Sequence, residues 1–529
     1  MSSSRWPLAF PLLFLAPVIA GSSVSFGGAT TLAAQDAEGS YDWLIRGGSV
    51  VDGTGSPSRL ADVLLREDRI AHVGGVDPDT LRVERVFDAR GLVVAPGFID
   101  LHAHGDPVAD PSFENFLAQG ATTIVLGQDG SSPEAGSFAD HLEGVGAARP
   151  SVNVAYLVGH NTVRRESGVG FGDPDPEGLE GMAALVRQAL DAGAFGLSTG
   201  LEYNPGGRAG PEELAAIAEP VGERGAVVMS HLRSEDEDRV DGAVEELLDQ
   251  GRRSGAAVHV SHMKIVLGAD PEAAERILAL MAAARDDGLQ VTGDVYPYLA
   301  SFTGISLLFP DWALAPNDYD TVVRNRREEL AAHLRRRVES RNGPEATLFG
   351  SGRWSGRTLS QVAEEEGRPF EEVLVDLGPG GARAAYFVMD EDVMTTFLAD
   401  SRVAVSSDGS PTMAHPRGYG AFARVIRRYV LEQGLLTLEE AVRKMTSLPA
   451  AILDLDDRVR VEVPVGVVRD GWAADLVVFD PEGVEDRATF EEPHLPAVGM
   501  EAVWVRGEPA WMDGGPVAGR GHGRMIRRR

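Results

Sequence analysis

The chain contains no cysteine. That excludes disulfide bonds, a lipid-modified cysteine and any thiolate metal ligand. Lysine is nearly absent too: Lys264 and Lys444 are the only two, and every other basic side chain is arginine. A lysine beside other chemically capable residues is therefore more informative than usual. Basic residues number 49 against 80 acidic ones, for a net charge of −31. A polyanion needs a basic face, so nucleic acid is excluded as a partner. The chain also lacks an internal repeat, a Gly-rich phosphate loop, a Walker-type lysine and any cluster of basic and aromatic residues. Beyond the first twenty residues, no stretch is long and apolar enough to cross a membrane.

What is present is a soluble globular composition, 43% hydrophobic and 24% charged, in 529 residues. That length exceeds one ordinary domain and suffices for a barrel plus a second unit. Residues 1–34 read as an export signal. Arg5 supplies the positive start, and the apolar run from Trp6 to Ala20 is too short to span a bilayer. Val18-Ile-Ala20 and Leu32-Ala-Ala34 both offer small residues for cleavage. The expected location is therefore periplasmic or extracellular, with no stable membrane insertion once the signal is removed. A cysteine-free chain is compatible with an oxidising compartment.

The most informative stretch is Ala95-Pro-Gly-Phe-Ile-Asp-Leu-His-Ala-His-Gly105. A Pro-Gly turn leads into a short apolar strand, at whose end His102 and His104 stand two residues apart. Residues two apart on a strand share a face, so the two imidazoles can converge on one metal ion. The stretch resembles the signature of the amidohydrolase superfamily, metal-dependent hydrolases built on a (β/α)8 barrel.

Apolar runs that alternate with helical stretches agree with such an α/β architecture. They are 98–101, 122–126, 152–158, 195–198, 226–229, 257–260, 290–292 and 403–405, eight in all, as a (β/α)8 TIM-like barrel needs. The barrel is placed at 96–425. About a hundred residues separate the seventh and eighth runs, so an inserted subdomain is expected over 302–398. Short strands at 41–51 and 61–71 are matched by others at 474–480 and 502–506. The superfamily resemblance implies that these form one small β-sandwich from both chain ends, covering 35–95 and 426–515, the latter with a C-terminal helix. The Gly- and Arg-rich residues 516–529 read as a basic disordered tail.

Chemistry in this fold collects at the C-terminal ends of the strands. Those ends carry His102 and His104, then Gly127-Gln-Asp-Gly130, Ser230-His-Leu-Arg-Ser-Glu235, Val260-Ser-His-Met-Lys264, Gly293-Asp-Val-Tyr-Pro-Tyr298 and Ser406-Ser-Asp-Gly409. Four of the chain's 12 histidines and three aspartates stand there. Core packing does not produce that recurrence, whereas a metal site does. His259 faces away if His262 faces the mouth, and His160 lacks a partner at ligand spacing.

Further motifs narrow the resemblance. Gly196-Leu-Ser-Thr-Gly-Leu-Glu-Tyr-Asn-Pro-Gly206, Ser230-His-Leu-Arg, Val260-Ser-His-Met-Lys, Asp294-Val-Tyr-Pro-Tyr and His415-Pro-Arg-Gly-Tyr-Gly420 resemble the N-acyl-D-amino-acid deacylase (D-aminoacylase) family. So do Met445-Thr-Ser-Leu-Pro-Ala450 and Asp470-Gly-Trp-Ala-Ala-Asp-Leu-Val. The likeness runs from about residue 41 to 511. It implies one or two Zn2+ ions, one position held by His102, His104 and Asp408, the other by His231, His262 and a residue ending strand two. The better-known members have cysteine at that last place. This chain has Asp129, with Glu202 as the alternative. A carboxylate is a harder ligand than thiolate, suits zinc and can bridge two ions.

The resemblance implies hydrolysis of N-acyl-D-amino acids, or of dipeptides with a C-terminal D-residue. A divalent ion lowers the pKa of water to about 7, and Asp408 then serves as general base and acid. Lys264, Tyr296 and Arg417 match positions that grip the carboxylate of the small-molecule substrate. The alternative is a cyclic amidohydrolase of the hydantoinase or dihydroorotase kind, which typically has a carboxylated lysine ending strand four. Here that place reads Thr199-Gly-Leu-Glu202. A catalytically dead, exported binding protein that keeps the barrel is the rival from another class.

Overall fold

A run such as Ala121-Thr-Thr-Ile-Val-Leu126, buried at every position, can only be a strand covered on both faces, the environment of a parallel sheet. In the computed structural model, which describes residues 40–529 apart from 78, 80 and 520, it is the second strand of a barrel. The expected signal segment lies outside the described residues. The barrel strands are β1 (Phe98–Asp100), β2 (Ala121–Leu126), β3 (Asn153–Tyr156, resuming at Val158–Gly159), β4 (Gly196–Gly200), β5 (Val227–His231), β6 (Ala257–Val260), β7 (Val291–Val295) and β8 (Val403–Val405). Each pairs in parallel with the next. The ring closes where Ala103 bridges Gly409 and where the Ser407 amide donates to Asp100 Oδ1 at 3.0 Å.

The outer helices carry their own punctuation. Pro176–Ala192 begins on a proline behind Asp175, whose carboxylate accepts from the Gly178 amide at 2.8 Å, and ends on left-handed Gly193. Pro271–Asp286 starts the same way behind Asp270.

The inserted subdomain leaves β7 at Ser301–Gly304, which pairs antiparallel with Arg383–Tyr386. Around that pair a separate core forms from Leu330, Leu334, Phe349, Leu374 and Tyr386. The insert is shorter than the 302–398 expected. Helix Glu391–Ala399 buries Val393, Phe397 and Leu398 in the barrel core and is the ordinary crossover into β8.

Strands from both chain ends form one nine-stranded sheet in which Leu476–Phe479 pairs with Val93–Pro96. Trp43 and Trp504 meet edge to face at 5.5 Å although their strands are three steps apart along the sheet. In a flat sheet that separation would be about 14 Å, so the sheet folds over its own core, giving the expected two-layered unit.

The disordered tail is a correction. β3 is interrupted at Leu157, leaving the edge of Asn153–Tyr156 without a β4 ladder, and residues 524–528 fill the gap. Val154 donates to the Arg524 carbonyl, Ile526 donates back to Val154, and Arg528 donates to Gly193, at 2.8–3.0 Å. Ile526 is 5% exposed in the cluster at the barrel floor, and the Arg528 guanidinium reaches Asp454 at 2.8 Å. Glycine here means close approach, since a Cβ on Gly523 would lie 2.0 Å from the Val152 carbonyl oxygen. Ending the chain before Gly521 is expected to cost on the order of 3 kcal/mol, mostly buried Ile526 and its backbone bonds. Thermal melts of the truncated and full chains check this; equal melting temperatures would show that the tail adds nothing.

Candidate metal centre

Six ionisable side chains converge above the strand ends. His102 and His104 follow β1, Asp129 the β2 turn, His231 ends β5, His262 follows β6 and Asp408 follows β8. Asp129 is central. Its Oδ1 lies 3.3 Å from His102 Nε2, 3.3 Å from His262 Nε2 and 3.8 Å from His231 Nδ1, and its Oδ2 lies 3.5 Å from His104 Nε2. Asp408 Oδ1 stands 3.1 Å from His104 Nε2 and 3.8 Å from His102 Nε2. All six expected positions are thus brought together. Glu202 stands to one side of them, 3.1 Å from the outer Nε2 of His231, and forms with His231 and Glu235 a separate cluster of ligand atoms.

The backbone pays a conformational cost to aim these groups. Asp129, His262 and Asp408 have φ of 54°, 37° and 47°, a left-handed region that costs on the order of 1–3 kcal/mol for each non-glycine residue. Two buried carboxylates hold the turns at His262 and Asp408. Asp100 accepts from the His102 amide at 3.2 Å and from both the amide and hydroxyl of Ser407. Burial pushes its carboxyl up to about 7, and the Ser407 bonds oppose that only in part. Asp294 accepts from the His262 amide at 3.0 Å and from the Ser406 hydroxyl, and its Oδ2 meets His259 Nε2 at 2.7 Å. His259 is therefore outside the centre, as its spacing predicts. His160 pairs with Glu213 at 2.8 Å behind the wall.

Electrostatics ready the site for a cation. Burial lowers His102 and favours its neutral form, despite the opposing pull of Asp129. Burial alone would raise Asp129, but His102 and His262 hold it well below the usual carboxylate range. For Asp408, Arg417 at 3.0 Å and the neighbouring histidines likewise outweigh burial. Burial and Lys264 push His262 down, yet Asp129 and Glu235 lift it to about 10.

These groups form one wall of a cavity of about 690 Å³, also lined by Lys264, Tyr296 and Arg417. Lys264 Nζ pairs with Glu235 and lies 2.9 Å from His262 Nδ1. The Tyr296 ring lies between the Lys264 ammonium, 5.7 Å from its centroid, and the Arg417 guanidinium, at 4.6 Å. Sequence reasoning quoted Glu235 without giving it a role. It lies at a strand end and faces the lone cavity lysine, a pairing that separation along the chain conceals. Tyr203, whose ring lies tilted against that of His231 with centroids 4.5 Å apart, was missed for the same reason.

Residues 85–224 and 313–510 match the amidohydrolase family. Over 92% of its length the chain is 38% identical to N-acyl-D-glutamate deacylase of Alcaligenes xylosoxydans xylosoxydans, covering 96% of that protein. It is 35% identical to the D-aminoacylase of the same organism, over 92% of this chain and 98% of the relative. The fold superposes on the crystal structure of N-acyl-D-glutamate deacylase from Bordetella bronchiseptica complexed with zinc and a phosphonate inhibitor, a mimic of the reaction tetrahedral intermediate. There the TM-score is 0.79 at 33% identity, over 92% of this chain and all of the other.

Proposed function

Because this chain belongs to the N-acyl-D-amino-acid deacylase (D-aminoacylase) family of the amidohydrolase superfamily, we propose that it hydrolyses the amide bond of N-acyl-D-amino acids, or of dipeptides with a C-terminal D-residue, releasing the free D-amino acid. The observation that carries this reading is the convergence of four histidines and two carboxylates beside a cationic, hydrogen-bonding set on one cavity wall.

Zinc fits the donors. His102 is fully buried; its Nε2 faces Asp129 at 3.3 Å without hydrogen-bond geometry, and its Nδ1 has no partner among the described residues. Burying such a group unpaired is costly unless a cation takes its lone pair. His102, His104 and Asp408 would hold one position, His231 and His262 the other, and Asp129 lies within reach of both. Nitrogen and carboxylate donors suit zinc. Bound there, zinc would polarise the scissile carbonyl and lower the pKa of a water to about 7.

The chain's own residues do the rest. Asp408 is held ionised, so it accepts a proton from the attacking water and passes it to the leaving nitrogen. Lys264 spends one of its three N–H donors on Glu235, which leaves N–H groups for a substrate carboxylate. Arg417 and Tyr296 stand beside it to fix that carboxylate, which sets the face of the α-carbon presented to the water. The strand-four position of a carboxylated lysine is occupied by Thr199, hydrogen-bonded to Ser230 at 2.7 Å, which favours linear over cyclic amides.

The test is kcat/KM for matched N-acetyl-D- and N-acetyl-L-amino acids, their methyl esters, hydantoin and dihydrouracil. The D-acids should be turned over, and esterification should remove most of the activity. Turnover of the cyclic amides alone would replace this reading with a hydantoinase-like one. Export to the periplasm or beyond belongs to the same proposal, supported by the apolar run at 6–20.

A further inference from the structure

Four arginines line the cavity, and two of them face carboxylates of the protein. Arg417 pairs with Asp408, and Arg341, 3% exposed, pairs with Asp236 at 3.0 Å. Arg165 donates to the Thr162 hydroxyl at 3.1 Å, beside the β2 and β3 loops. Arg383 differs. Among the described residues its guanidinium forms no ion pair or hydrogen bond, in a chain whose carboxylates outnumber its cations 80 to 49. Its one side-chain partner is the ring of Phe302, 5.6 Å from the guanidinium carbon.

The position is nonetheless built. Arg383 opens the central strand of the insert's sheet, opposite Gly304. Its amide donates to the Ser351 hydroxyl at 2.8 Å, and its carbonyl accepts from Gly350 at 2.8 Å. Phe302 ties it to the carboxylate-gripping set, because the Phe302 carbonyl accepts from Arg417 at 3.5 Å. Arg383 and Arg417 therefore line the same cavity and share Phe302 as a neighbour, Arg383 at its ring and Arg417 at its carbonyl. On the neighbouring wall Gly380 has open space before it, while Gly350 is covered by the Phe302 ring.

Resting on the deacylase reading, we propose that Arg383 is the specificity residue for a second carboxylate, so that the preferred substrate is an N-acyl-D-amino acid with an acidic side chain. A guanidinium fork matches a carboxylate bidentately, and one that keeps no partner among the described residues on the cavity wall is free to take an anion from the ligand. The overall identities do not choose between side chains, since the glutamate-specific and general relatives stand at 38% and 35%.

The experiment compares kcat/KM for N-acetyl-D-Glu with N-acetyl-D-Gln, and N-acetyl-D-Asp with N-acetyl-D-Asn, on the full zinc-loaded chain and on Arg383→Gln and Arg383→Glu. In the wild type one acid should exceed its own amide by at least about tenfold, the value of a charge-assisted hydrogen bond. Arg383→Gln should bring that ratio to within about twofold. Arg383→Glu should invert it and raise N-acetyl-D-Lys relative to both. Because the guanidinium is solvent-exposed, added salt should shrink the wild-type ratio. A wild type that does not separate acids from amides, or a ratio retained in Arg383→Gln, overturns the proposal. In either case, continued turnover of N-acetyl-D-Leu leaves the deacylase reading intact. No turnover of any N-acetyl-D-amino acid overturns both.

Discussion

Asp408→Asn is expected to lower kcat by about 10²–10⁴-fold, the usual cost of losing a general acid/base. The substitution isolates the proton. Asparagine tolerates the left-handed φ of 47° that Asp408 adopts, so the turn through Ser407 and Gly409 can keep its shape. The amide still offers an oxygen to Arg417, 3.0 Å away, but no charge, so some thermal stability is lost while the fold remains. Bound zinc should largely persist, because His102, His104, Asp129, His231 and His262 are untouched. Circular dichroism, metal analysis and steady-state kinetics on one preparation give the answer. Activity within about tenfold of wild type would remove Asp408 from proton transfer.

Asp129→Ala should lose zinc and activity together. Asp129 is the only side chain of the centre whose oxygens reach all four histidines, at 3.3–3.8 Å. Removing it takes a donor from both positions at once, so the loss should exceed the about 10–100-fold that outer partners of a metal site cost. Alanine is strained at the φ of 54° found there, so a backbone effect has to be separated from a ligand effect. Asp129→Asn does that, since it accepts the same backbone and removes only the charge. Asp129→Cys should restore part of both zinc and activity, because thiolate is a favoured zinc ligand. Full zinc content in the alanine and asparagine variants would move the role to Glu202 or to water.

Much of this was legible in one dimension. The eight barrel strands stand where the apolar runs predicted them, because strands covered on both faces must be continuously apolar. The six converging groups were legible because parallel strands all end on the same face, so polar residues that recur just past those ends share a location. The lysine at 264 stood out because the chain has only one other.

Other features depend on contacts that sequence separation hides. The role of Glu235 needs Lys264 beside it, and that of Asp294 needs the His262 amide. The choice between Asp129 and Glu202 is a matter of which imidazole nitrogen each carboxylate faces, and only packing sets that. The tail was misread because glycine and arginine have the composition of disorder, whereas here the glycines admit close backbone approach and Arg528 finds Asp454. Arg383 looked like any other arginine until the insert's sheet placed it unpaired on the cavity wall. The sequence alone determined the barrel, its order and the kinds of donor at its mouth, since burial periodicity and strand direction are local properties. Tertiary structure decided which donors meet, which charges are already neutralised and which end of the chain closes the barrel floor. Those are sums over neighbours that can lie 402 residues apart, as Arg69 and Gly471 do.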